Sequence, residues 1–205
     1  MRVRMTGVVV AALALARGSS SAQVLDHPHA NFLFFRYASH TSLALYASYG
    51  DGNTLLVAGM IQNPRSGYHE IDGAIGRVVD IGANFSNVIA VGVVSASDSW
   101  YAPIYWLPSY TLGRLHLNGS FEYYEPLQRQ GARQLDANPV TAMVRTVGPL
   151  QIGAAYLLYT QVASVPTHEW GPAARLPVPN GTVQLEWLLR PRSGATDLRL
   201  TFQSN

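Results

Sequence analysis

The feature that most constrains this chain is hydrophobic alternation with a period of two. Residues 182–190 set Val183, Leu185, Trp187 and Leu189 against Thr182, Gln184, Glu186 and Arg190. Successive side chains of a strand point to opposite faces, so the segment reads as a strand with one oily and one charged face. The chain closes on the same pattern, with Leu198, Leu200 and Phe202 opposed to Asp197, Arg199, Thr201 and Gln203. Residues 114–124 repeat it, setting Leu115, Leu117, Phe121 and Tyr123 against Arg114, His116, Asn118, Ser120 and Glu122. Apart from the N-terminal stretch, no window of about 12 residues keeps an apolar helical face, so the chain is expected to be all-β.

Eight further segments read as strands: 31–38, 42–49, 54–62, 74–82, 85–96, 104–112, 141–147 and 150–162. Tight connections at 50–53, 83–84, 148–149 and 191–194 carry the Gly, Asn, Asp and Pro chemistry of hairpin turns. Longer connections are expected at 63–73, 97–103, 126–140 and 163–180. Short turns at one rim and long loops at the other describe an up-and-down antiparallel meander closed into a β-barrel.

Residues 1–22 read as a secretory signal peptide. Arg2 and Arg4 precede an apolar stretch at 7–16, and a run of small residues ends at Ala22, the expected cleavage point, with Ala16 as second choice. The apolar stretch is about 10 residues long, half of the roughly 20 that a helical membrane span needs. Residues 23–205 then form a single β-barrel domain. The basic side chains are all arginine, 14 in number, and three of them precede residue 18. Without those three, 11 arginines face 12 acidic residues and the formal +2 becomes −1. That balance gives no nucleic-acid footprint. With no cysteine in the chain, thiolate chemistry and disulfide stapling are excluded.

Alternation alone serves a soluble barrel and an inverted one equally well. Three features favour inversion: charged and small residues interleaved on the polar faces, Tyr and Trp clustered towards strand ends, and strands near the 9 to 11 residues that a tilted membrane span requires. In this the chain resembles the small bacterial outer-membrane β-barrel proteins as a class. Leu198, Leu200 and Phe202 look like the C-terminal segment read by the barrel assembly machinery, although Gln203, Ser204 and Asn205 follow the aromatic residue. The resemblance implies an outer-membrane location, with membrane lipids and that machinery as partners. Such barrels use even numbers. Eleven segments therefore leave one misread: dropping 104–112, weakened by Pro108, gives ten, and a strand near 24–31 gives twelve.

Lumen-lining residues are expected to be Arg114, His116, Glu122, Arg145, Gln151, Glu186 and Arg199, serving passive transport of an unspecified small solute or an envelope structural role without cofactor or metal. The competing reading is a soluble periplasmic or secreted β-barrel that binds an apolar ligand. Nucleotide and zinc-protease motifs are absent from the sequence. Asp26, His27 and His29 resemble metal ligands only in composition, and a Pro-containing leader explains them better. His40 and Ser42 loosely resemble the His-x-Ser pair of outer-membrane lipid A deacylases, which would make the protein an ester hydrolase. Leu43 stands where that family has asparagine, and no catalytic residue is assigned.

Overall fold

The computed structural model describes residues 32–39, 43–51, 53–64, 66–97, 99–129, 131–161 and 164–204. Among the described residues, twelve antiparallel strands follow one another around a closed barrel. They are β1 (Phe32–Ala38), β2 (Leu43–Asp51), β3 (Thr54–Asn63), β4 (Tyr68–Ile81), β5 (Phe85–Ala96) and β6 (Ser99–Leu112), then β7 (Leu115–Pro126), β8 (Gln134–Arg145), β9 (Gln151–Gln161), β10 (Thr167–Val178), β11 (Gly181–Leu189) and β12 (Thr196–Ser204). Each strand pairs with its chain neighbour, and β1 closes the ring on β12 through Phe34 opposite Gln203 and Arg36 opposite Thr201. Closure leaves no edge strand with open hydrogen-bonding groups.

The barrel is inside out. Ile71, Ile75 and Val79 on β4, Ile89, Val91 and Val93 on β5, Leu185 and Trp187 on β11, and Leu198 and Leu200 on β12 are exposed. Their strand neighbours Glu70, Asp72, Glu186, Asp197, Arg199 and Thr201 are buried. An oily exterior and a polar interior are the arrangement that a hydrocarbon surrounding selects.

All eleven segments read as strands in the sequence are strands, including the one around Pro108. The twelfth is β10, which lies inside the expected loop 163–180. The segment 24–31 lies outside the described residues. Because β10 was hidden, the turn at 191–194 changes sides: it belongs to the β11–β12 connection at 190–195, on the rim with the longer loops. The opposite rim carries both ends of the barrel and turns such as 113–114 and 179–180. In the first of these Gly113 has φ +59, a left-handed backbone that glycine reaches without steric cost.

Internal prolines are accommodated by gaps in the ladder. The β5–β6 register passes from Val91↔Ile104 to Val94↔Tyr101, skipping Pro103, and the β6–β7 register passes from Trp106↔Phe121 to Ser109↔Asn118, skipping Pro108. Pro139 sits in the bulge where β8 shifts against both β7 and β9. Proline has no N–H to give to a ladder, so interruptions and bulges are where it fits. Gly119 faces both: a Cβ there would come 3.2 Å from the Pro108 ring and from the Pro139 carbonyl.

Candidate functional site: a charged barrel lumen

The interior encloses a cavity of about 610 Å³. Side chains from every strand except β2, whose side chains are not described, contribute to its lining. It extends from Gln203 near the terminal rim to Arg190 on the loop rim.

The wall formed by β10, β11, β12 and β1 holds three groups of arginines and hydrogen-bond acceptors. Glu169 of β10 accepts from Arg190 Nε at 2.5 Å and from Arg199 Nη2 at 2.9 Å. Arg199 Nε donates to Asp197 at 3.0 Å, and Asp197 accepts from the Ser39 hydroxyl at 3.0 Å. Deeper in the barrel, Arg175 Nε donates to Gln184 Oε1 at 2.8 Å, and Gln184 Nε2 donates to Glu186 at 2.6 Å. Arg36 Nε donates to Thr201 at 3.1 Å, with its guanidinium 5.0 Å from the Phe34 ring centroid. Buried charges persist when their partners and hydrogen bonds replace water, and this wall supplies both.

The facing wall, β4 to β8, is acidic and tyrosine-rich. Glu70 and Asp72 of β4 are buried; Glu122 of β7 lies opposite Asp136 of β8 in register. Glu70 accepts from the Tyr68 hydroxyl, and Glu122 accepts from the Tyr124 hydroxyl at 2.8 Å. Tyr124 packs edge-on against Tyr101 and Tyr105, with centroids 6.2 and 6.3 Å apart. Asp136 lines the cavity and is solvent-exposed, so its carboxylate meets water inside the barrel. Towards the terminal rim this side turns apolar: Leu55, Val78 and Val88 are buried together, with Val57 and Leu107 packed against them.

Of the residues expected to line the lumen, Glu122, Glu186 and Arg199 lie in these walls. His116 and Gln151 are buried near the terminal rim, and His116 Nδ1 is 3.2 Å from the Thr111 hydroxyl. Arg145 is exposed at the end of β8, and Arg114 is exposed in the β6–β7 turn, away from the cavity. His40, Ser42, Asp26, His27 and His29 lie outside the described residues. Of the Tyr and Trp residues clustered towards strand ends, a feature read as favouring lipid interfaces, Tyr101, Tyr105, Tyr124 and Tyr159 instead share the inward face with Glu122 and Asp136 through the registers of β5 to β9. Trp100, Trp106, Tyr123, Trp170 and Trp187 occupy the outer face.

Sequence reading missed Arg36, Glu70, Asp72, Asp136, Glu169 and Arg175. The signal was local: Glu70-Ile71-Asp72 and Gln134-Leu135-Asp136 both alternate. They lie in segments taken for loops.

No protein-family model matches the chain, and no curated protein matches it. Solved structures do. A KdgM porin is 13% identical and superposes with a TM-score of 0.61 over 85% of this chain and 98% of that one. A KdgM porin in complex with disordered oligogalacturonate gives a TM-score of 0.62 at 13% identity over the same shares. A NanC porin gives 0.57 at 10% identity, over 86% of this chain and all of that one. The fold is a porin fold. The class-level resemblance read from the strand pattern is therefore borne out for the architecture.

Proposed function

We propose that the protein is a passive diffusion channel of the bacterial outer membrane. The observation that carries this reading is the pairing of an apolar exterior with a charged interior that keeps about 610 Å³ of space along the barrel. A soluble barrel that stores an apolar ligand needs the opposite arrangement, with Ile89, Val91 and Leu200 turned inward and Arg199 and Glu186 turned out. The porin neighbours support the reading through their fold. The reading is non-enzymatic: transport needs a lumen of the right width and charge, and the walls described here provide binding and steering groups.

The test is reconstitution of the refolded barrel in a planar bilayer. Stepwise, ohmic current increments are expected, accompanied by a heat-modifiable shift on gels that marks the folded barrel. A preparation that shows the shift and stays electrically silent would overturn the channel reading and favour an envelope structural role.

A further inference from the structure

Charge is distributed very unevenly around the lumen. Numbering twelve strands around a closed ring places β6 diametrically opposite β12. Acidic residues flank β6 on β4, β7 and β8; arginines sit on and beside β12. Both groups lie in the half of the barrel nearer the loop rim: Glu70 and Asp136 are the third residues of their strands, and Arg36 is the third from the end of its own. They face one another across the cavity, whose lining includes Glu122 and Asp136 on one side and Arg36 and Arg199 on the other.

The two walls differ in how that charge is held. On the β12 side, Arg190 and Arg199 share Glu169, and Arg199 also holds Asp197. On the β6 side, Glu70 and Glu122 are held by tyrosine hydroxyls, neutral donors that bring no compensating positive charge. Glu70 is 5% exposed, and beside it Asp72, Glu122 and Asp136 line the cavity itself. A second feature is independent of charge. Directly below the acidic wall the lumen is lined by Leu55, Val57, Val88 and Leu107, where a water-filled barrel interior is ordinarily polar.

From these two features together, and resting on the channel reading above, we infer that the lumen selects small organic cations with an apolar body. The ammonium group meets the carboxylates and the tyrosine ring faces, which attract cations electrostatically, and the body follows the apolar strip. Polyanions are disfavoured. The neighbour solved with oligogalacturonate shares this fold, but a polyanion entering this barrel would meet Glu122 and Asp136 on one wall; on the other, Arg190 and Arg199 are engaged by carboxylates, and Arg36 and Arg175 bond to Thr201 and Gln184.

The test uses the reconstituted full-length barrel. In a potassium chloride gradient the reversal potential should report preference for potassium over chloride by about threefold or more at 0.1 M salt, falling towards one at 1 M as the screening length drops from about 10 to about 3 Å. Glu122→Gln combined with Asp136→Asn should bring the ratio close to one at low salt. Tetrabutylammonium should block current at a concentration at least about fivefold below that of tetramethylammonium, reflecting the apolar strip. Leu107→Ser should erase that difference. Chloride preference in the wild type, or an unchanged ratio in a folded, conducting double variant, would overturn the charge assignment. Equal block by the two ammonium ions would overturn the apolar one. A folded barrel that never conducts overturns the channel reading itself, and is distinguished from these outcomes by its silence.

Discussion

Glu169 is the residue on which the arginine wall turns. Its two carboxylate oxygens take one guanidinium each, Arg190 and Arg199, in a side chain only 7% exposed. Changing Glu169 to Gln keeps the shape and removes the charge, so two arginines face each other across a neutral amide. Breaking a buried pair by removing one partner costs about 3 to 5 kcal/mol, and the expected result is a lower denaturant midpoint for the heat-modifiable shift. Glu125→Gln is the control: its bidentate contact with Arg133 lies at the exposed surface, where ion pairs contribute little, and its midpoint should stay within error of the wild type. Glu169 also shows why the site was only half legible from the sequence. Glu122, Glu186 and Arg199 stand in strands with clean alternation and could be assigned to a face. Glu169 stands two residues before Gly171-Pro172, Asp136 three before Pro139, and Asp72 beside Gly73. Glycine and proline mark turns in most contexts; here Gly171-Pro172 falls at a ladder gap and Pro139 at a bulge, while Gly73 pairs on both sides within a continuous strand.

The strands themselves explain where the reading held and where it failed. β11 and β12 alternate without interruption and were legible to within a residue or two. β10 carries Gly171, Pro172 and Pro177 within twelve residues. Its register with β11 runs from Trp170↔Leu189 directly to Ala173↔Glu186, so the proline falls where the ladder is already broken. On its other side β10 pairs continuously with β9 from Thr167 to Arg175. Tertiary pairing thus overrides a local preference that disfavours a strand. The lipid-facing row of each strand makes a separate, depth-dependent prediction. Val91 lies in the middle of β5 and Val144 one residue from the end of β8, both exposed on the outer face. Arginine placed in the hydrocarbon midplane costs about 2 to 4 kcal/mol and near an interface about 0 to 1. Val91→Arg should therefore lower the unfolding midpoint in lipid bilayers strongly, and Val144→Arg weakly. Equal effects in bilayers, or equal tolerance of both, would argue against an apolar belt centred on β5.

At the scale of the whole molecule, an even number of strands puts both ends of the barrel on one rim, and the two longest connections, 127–133 and 190–195, lie on the other. That loop rim also carries 162–166 and the shorter 64–67 and 97–98; the terminal rim carries 82–84, 113–114 and 179–180, with 146–150 its longest. Short turns face the periplasm in outer-membrane barrels and longer loops face outward, so the loop rim, and with it the acidic and arginine walls just inside, should form the mouth that solutes meet first. The absence of cysteine from the sequence makes this orientation directly measurable, because any introduced thiol is unique. Ser193→Cys in the β11–β12 loop should react with a membrane-impermeant maleimide on intact cells. Ala83→Cys in the β4–β5 turn should react only after the outer membrane is permeabilised. Both positions are exposed, so a difference between them reports sidedness rather than burial. The reverse pattern would place the charged mouth on the periplasmic side, where it would act on solutes leaving the pore instead of those entering it.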